Sequence, residues 1–150
     1  MIGHLTIEES KEILAENIFG HIGCNDGTNT YVYPTNYVYD GKYVYCHSMP
    51  GSKIMVMRFN KRVCLQVDVL KDDTNWKSVM LMGNYEELDN ERERYYAMKR
   101  FVDHMLHLKI TERGIMPEYT EQRLLHYSTG NFKPVIYRIS SDQITGRYEQ

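Results

Sequence analysis

Hydrophobic and polar positions recur with two different periods along this chain, and the switches between them mark its elements. Thr6-Ile-Glu-Glu9 has the spacing of a capping box. Ile13, Leu14 and Ile18 behind it fall on one helical face, which predicts an amphipathic helix ending before Gly20. The period then drops to two. Phe19 to Cys24 reads as a strand, Asn25-Asp-Gly27 as a turn and Thr30 to Tyr39 as a long β-rich run. Asp40-Gly41 is a two-residue hairpin signal leading into a strand from Lys42 to His47. Along that strand Tyr43, Tyr45 and His47 share one face, and Val44 and Cys46 the other.

After Pro50-Gly51 the pattern changes to Ile54, Met57 and Arg58, which predicts a short helix beginning near Ser52. Val63, Leu65, Val67 and Val69 then alternate with Cys64, Gln66 and Asp68 as far as Leu70. Lys71 to Thr74 breaks the run, and a further strand follows from Trp76 to about Leu88. Helical spacing returns between Glu91 and Leu108, with Tyr95, Met98, Val102 and Met105 on one face. Thr120 to Tyr127 suits a short helix, and Val135 to Ile139 with Ile144-Thr-Gly146 closes the chain as strand and turn. Several hairpin-linked strands with few helices predict a mainly β fold with α. The expected form is an antiparallel sheet curled into a small barrel, because closure removes exposed edges, with helices over its openings or one flank. Pro34 cannot donate to a ladder, so it marks an edge, a bulge or a point where another group approaches the backbone.

A length of 150 residues fits one domain with a substantial core. A net charge of -2 gives no overall basic field, which argues against nucleic acid or an anionic membrane as main partner. No run approaches a membrane span, and Met-Ile-Gly-His-Leu does not open a signal peptide, so a cytoplasmic location is expected. Cys24, Cys46 and Cys64 are odd in number and lack C-x-x-C pairing, which suggests neither a disulfide framework nor a zinc site. Thirteen tyrosines and a single tryptophan suit half-buried pleated surfaces and also flat ligands.

The candidate chemistry gathers from Tyr43 to Lys53. Free backbone N–H groups at the helix start, the Ser52 hydroxyl and the Lys53 ammonium suit a phosphate, although the segment also reads as a plain strand-to-helix turn with a solvated lysine. His104 and His107 lie three apart on the long helix, but no acidic or cysteine ligand completes a set, so a solvated pair and no metal site are expected. Glu86 and Glu87 are adjacent in a strand and point to opposite faces, which makes them a poor acid–base pair. Met80, Met82 and Met98 are expected in the core.

The ordered set Gly20-His-Ile-Gly-Cys24, Tyr33-Pro-Thr-Asn-Tyr37, Tyr45-Cys-His-Ser48, Pro50-Gly-Ser-Lys53, Arg62-Val-Cys-Leu65, Trp76-Lys-Ser-Val79 and Gly83 resembles one family. It is similar to the pyridoxamine 5'-phosphate oxidase-like FMN-binding split-barrel proteins, specifically their nitroimidazole-resistance, nitroreductase-like branch. The similarity runs from Phe19 to about Leu88 and resumes from Val135 to Gly146. Gly51-Ser-Lys53 departs from the commoner Gly-Gly-Lys, and Lys77 stands where arginine is frequent. Both keep a positive charge, although lysine cannot reproduce a bidentate grip on phosphate.

The resemblance implies a split β-barrel homodimer with one flavin mononucleotide, or alternatively FAD, in each of two clefts at the subunit interface. By matching position, Thr35, Asn36 and Tyr37 lie along the isoalloxazine edge beside Pro34, and His47 and Ser48 sit by the ring or the ribityl chain. Lys53 pairs with the phosphate, and Trp76, Lys77 and Ser78 complete the site. Each has a plainer reading: Thr35, Asn36 and Tyr37 as solvent-facing strand residues, Trp76 as a core aromatic, His47 as a satisfied strand-end histidine. The implied activity is a flavin-dependent oxidoreductase acting on a small, flat, electron-poor substrate of nitroaromatic type, with His47 protonating or orienting it. No G-x-G-x-x-G is present, so NAD(P)H as donor is expected to bind only transiently. The alternatives are a non-catalytic flavin carrier or sensor, a pyridoxamine-phosphate oxidase-like activity, and a heme-binding relative.

Overall fold

The long strand β7 (Asn75–Glu87) has two antiparallel partners on the same side, one for each end, and the sheet divides there. The computed structural model describes residues 1–112 and 134–150. Along the chain, β1 (Ile2–His4) and α1 (Ile7–Glu16) precede β2 (Phe19–Asn25), β3 (Thr30–Asn36), β4 (Val38–Tyr39) and β5 (Tyr43–Ser48). Then come α2 (Ser52–Phe59), β6 (Arg62–Asp72), β7, α3 (Glu91–Glu112), β8 (Val135–Ser140) and β9 (Gln143–Glu149). The hydrogen-bonded order is β3-β2-β6-β7-β8-β5-β4, every pair antiparallel. β9 joins β7 from Trp76 to Met82, while β8 joins it from Tyr85 to Glu87. The result is the curled antiparallel barrel the pattern predicts, split as the resemblance implies.

Alternation decides which side chains face inward. Ile22, Val44, Cys46, Leu65, Val67, Val79, Leu81, Tyr137 and Ile139 fill the interior with Leu14 of α1 and Met57 of α2. Fully burying one such aliphatic side chain contributes ~1.5–3 kcal/mol. Tyr45 and Ile136 point the other way and pack under Met98 and Val102 of α3. Thr6 caps α1 by accepting the Glu9 N–H at 3.1 Å, which is half of the expected capping box. Gly41 turns the β4–β5 hairpin at φ +96, and Asp40 Oδ1 accepts the Lys42 and Tyr43 N–H groups beside it. Gly83 is required because a Cβ there would overlap the Ser140 carbonyl.

Several expectations are corrected. α1 stops at Glu16, so Ile18 packs against Val38 and Phe101 from outside the helix. The run from Thr30 to Tyr39 breaks at Tyr37, whose N–H leaves the ladder for the Ile18 carbonyl. β6 continues to Asp72 through a register shift after Leu70, and β1, too short to read, pairs with β9. Met98 is buried as expected, but Met80 and Met82 stand half-buried on the outer face, because β7 sends Val79 and Leu81 inward. His104 is no solvated group: its Nε2 lies 2.9 Å from the Ala15 carbonyl and ties α3 to α1. The expected helix from Thr120 to Tyr127 lies outside the described residues.

Candidate ligand cleft and barrel-end site

β5 delivers the chain to Ser48, Pro50 and Gly51 turn it, and α2 begins at Ser52. Gly51 precedes the helix in extended conformation and no side chain caps it. The first turn carries no acidic residue. The first helical bond is Met55 N–H to the Gly51 carbonyl, so the amides of the opening turn remain free, with the positive end of the helix dipole behind them. Lys53 stands in that turn, half-buried, with its Nζ 6.0 Å from the centroid of the Tyr33 ring. It has no carboxylate partner among the described residues. Its charge reaches the thiols of Cys24 and Cys46 and the ring of His47. Nearby, the Ser48 hydroxyl donates to the Met49 carbonyl.

His47 faces outward from β5, as the alternation requires, and meets the edge of the Phe101 ring on α3 at 4.7 Å. Neither ring nitrogen has a hydrogen-bond partner among the described residues. Burial, with the Lys53 charge behind it, holds the imidazole pKa below its ordinary 6.5. A lowered pKa favours the neutral imidazole near pH 7. Cys46, on the opposite face, is pushed up to about 12 by burial and is an inert thiol.

Pro34 is exposed on β3, an edge strand paired among the described residues with β2 alone, which accounts for a missing ladder N–H. Asn36 is exposed. Thr35 is buried, and its hydroxyl donates to the Asn36 carbonyl at 3.0 Å. Tyr37 is wholly buried, and its hydroxyl donates to the Leu14 carbonyl at 2.7 Å. Its side chain thus anchors α1 and does not line a cleft, and its N–H is already given to the Ile18 carbonyl.

Trp76, Lys77 and Ser78 open β7, with Trp76 farthest along the ladder from α2. Lys53 neighbours Cys24, at the level where Gly23 pairs with Cys64, whereas Trp76 pairs with Leu70. The ladder between Cys64 and Leu70 spans roughly 20 Å at ~3.3 Å per residue. One chain therefore does not bring the two groups together. Ser78 faces the outer side of the sheet and accepts from Gln66 Nε2 at 3.1 Å. Gln66 pairs across β2 with His21, which pairs with Pro34. This row from Pro34 to Ser78 was legible only in part, because His21 and Gln66 acquire meaning from register alone. Cavities of about 380 and 440 Å³ open along its Ser78 end.

Trp76 also walls a cavity of about 470 Å³ at the barrel end, between α1, the β6–β7 hairpin and β9. Its indole N–H donates to Glu149 Oε2 at 2.9 Å, a partner that no motif or spacing marks. Glu86 and Glu87 diverge as expected, to Arg138 and to Arg58. Arg94, 4% exposed, donates to the Leu88 and Pro134 carbonyls and pins the start of β8 beside the end of β7. No cluster of metal-ligating side chains occurs among the described residues, and no helix there is long and apolar enough to cross a membrane.

A family model described as pyridoxamine 5'-phosphate oxidase matches residues 6–148. An uncharacterized protein of Rhizobium meliloti (strain 1021) is 37% identical over 81 residues, which cover 54% of this chain and 54% of that one, so the match spans about half of the curated relative. The crystal structure of a FAD-binding protein from Mesorhizobium loti superposes with a TM-score of 0.73 at 28% identity, covering 100% of this chain and 98% of that one. A candidate 5-nitroimidazole antibiotic resistance protein from Bacteroides thetaiotaomicron superposes at 0.72 with 19% identity, covering 99% and 87%. At that lower identity the likeness concerns the fold.

Proposed function

The chain belongs to the pyridoxamine 5'-phosphate oxidase family, and from that premise we propose that it is a flavin-dependent oxidoreductase acting on a small electron-poor acceptor of nitroaromatic type. The observation that carries this reading is Lys53: a half-buried ammonium without a carboxylate partner, beside an uncapped helix start whose amides have no acceptor. A half-buried ammonium with no carboxylate partner is available to pair with an anionic ligand. The donor set of amides, hydroxyl and ammonium fits a phosphate monoester.

In this reading Lys53 and the α2 amides hold the flavin phosphate. The edge strand at Pro34, Thr35, Asn36 and the Tyr37 backbone meets the ring edge, with His47 and Ser48 beside it. Bound flavin supplies two-electron transfer, with NAD(P)H as a transient donor. His47, held neutral, orients a substrate by hydrogen bonding and does not act as a cationic acid. Trp76 and Lys77 stand far along the ladder from Lys53 within one chain, which supports a homodimer in which a second copy brings them to the cleft, while Ser78 lies on the row that reaches Pro34. The Mesorhizobium loti protein, described as FAD-binding, supports a flavin as the ligand class.

The test is the visible spectrum of the purified protein, with chromatography of whatever denaturation releases. A flavin spectrum bleached by reduced nicotinamide nucleotide and restored by a nitroaromatic is the expected result. Flavin that binds but passes no electrons would make the protein a carrier or sensor, and a protein that refuses flavin would end the reading.

A further inference from the structure

Arg94 stands outside the proposed flavin cleft, yet it joins the two strand ends between which α2 is hung. Asn90 sets it in place: the Asn90 side-chain oxygen accepts the Arg92 and Glu93 N–H groups at 2.9 and 3.2 Å, and the Arg94 N–H bonds back to the Asn90 carbonyl. The first turn of α3 is thereby fixed, and the Arg94 side chain is buried beneath it. Leu88 and Pro134 each lie one residue beyond a strand, after β7 and before β8. Their carbonyls are taken by the two ends of the guanidinium, Nη1 to Leu88 at 3.3 Å and Nη2 to Pro134 at 2.8 Å. Nε is buried without a partner, and no carboxylate pairs with the group among the described residues. A guanidinium buried in this way is a weak source of net stability; what its rigid fork adds is a fixed spacing between two acceptors.

From both strand ends the chain leads to α2. Pro134 precedes Val135, which pairs with Ser48, and Ile136 pairs with His47 while its carbonyl accepts the Leu88 N–H at 2.8 Å. Ser48 ends β5, and α2 begins at Ser52. On the other side Leu88 follows Glu87, whose carboxylate accepts from Arg58 Nε at 2.9 Å in the last turn of α2. α2 is therefore fastened at its entry through Val135 and at its exit through Glu87, and the Arg94 fork sets the spacing between the two fastenings.

We propose that Arg94 is a positioning residue for the open start of α2: by clamping the Leu88 and Pro134 carbonyls it holds Ser48 and Lys53 where one phosphate meets both the Lys53 ammonium and the α2 amides. The identity of that phosphate rests on the flavin reading, whereas the clamp does not. A misplacement of about 1 Å, caused far from the contact, is enough to spoil such an arrangement.

The test uses the full chain with Arg94→Met, which keeps an unbranched side chain and removes the fork, and with Arg94→Lys, which keeps a charge and donors at shorter reach. In the flavin-free protein, amide hydrogen exchange over 46–55 and 134–137 should quicken about tenfold in Arg94→Met and less in Arg94→Lys, with 20–24 of β2 unchanged. The FMN-over-riboflavin affinity ratio should fall about tenfold in Arg94→Met and about threefold in Arg94→Lys, with riboflavin affinity itself little altered. Wild-type exchange rates around α2, a rise shared equally by β2, or an unchanged ratio in either folded variant would overturn the proposal. Should Arg94→Met fail to fold, Arg94→Lys decides by the same two readouts. A wild type without preference for FMN ends the flavin reading, and the exchange rates then decide the clamp alone.

Discussion

The His47 ring meets the Phe101 ring edge-on at 4.7 Å, which places a titratable group of β5 against the apolar underside of α3. Burial there, and then the Lys53 charge, lower its pKa in the folded state below 6.5. The unfolded chain therefore binds this proton more readily than the folded one, so the stability the neutral ring contributes is complete above pH 6.5 and is lost as pH falls through the folded pKa. Denaturant midpoints measured from pH 7.5 to 5 should decline in the wild type and decline less in His47→Gln. Parallel curves for the two proteins would show that His47 does not titrate on unfolding.

Tyr137 packs with Tyr85 at 5.0 Å, and its buried hydroxyl, with the Cys46 thiol and the Thr35 hydroxyl beside it, makes no hydrogen bond of good geometry among the described residues, with burial holding its pKa well above the usual phenol value. A desolvated donor with no acceptor costs roughly 1–3 kcal/mol. Tyr137→Phe removes that donor at nearly constant volume. It should raise stability by up to about 1 kcal/mol, read as a higher thermal midpoint; a loss of more than ~1 kcal/mol would mean that the hydroxyl is satisfied in solution.

Gly83 and Gly41 make a contrasting pair. A Cβ at Gly83 would overlap backbone atoms of Ser140, which cannot rotate away, whereas the space around Gly41 is open and only its positive φ is at stake. Gly83→Ala should cost about 3 kcal/mol or more, enough to unfold a marginal domain, and Gly41→Ala about 1 kcal/mol. Comparable denaturant midpoints for the two variants would contradict the β7–β8 contact.

How much of this was legible in the sequence depended on how local the cause was. The two faces of β5, the Asp40-Gly41 turn, the Thr6 cap and the helix after Gly51 follow from short-range period and turn chemistry, and the structure has each of them. β1 was not legible, because three residues carry no period and their partners, Arg147 to Glu149, lie at the other end of the chain. The His104 contact with Ala15 joins two helices through tertiary packing that no spacing encodes. Met80 and Met82 have core composition but stand outside because neighbouring Val79 and Leu81 take the inner face. The distance between Lys53 and Trp76 is likewise set by register along β6 and β7, which motif order along the chain does not reveal.

In the proposed function, Lys53 and the open start of α2 hold a flavin by its phosphate. Comparing affinities for FMN and riboflavin in the wild type and in Lys53→Glu tests it most directly, because riboflavin keeps the ring and lacks the phosphate. The wild type should bind FMN at least 100-fold more tightly than riboflavin, in line with two charge-assisted contacts of ~1.5–3 kcal/mol each. That preference should vanish in Lys53→Glu while its unfolding midpoint stays near that of the wild type. An FMN preference that survives the charge reversal would contradict it.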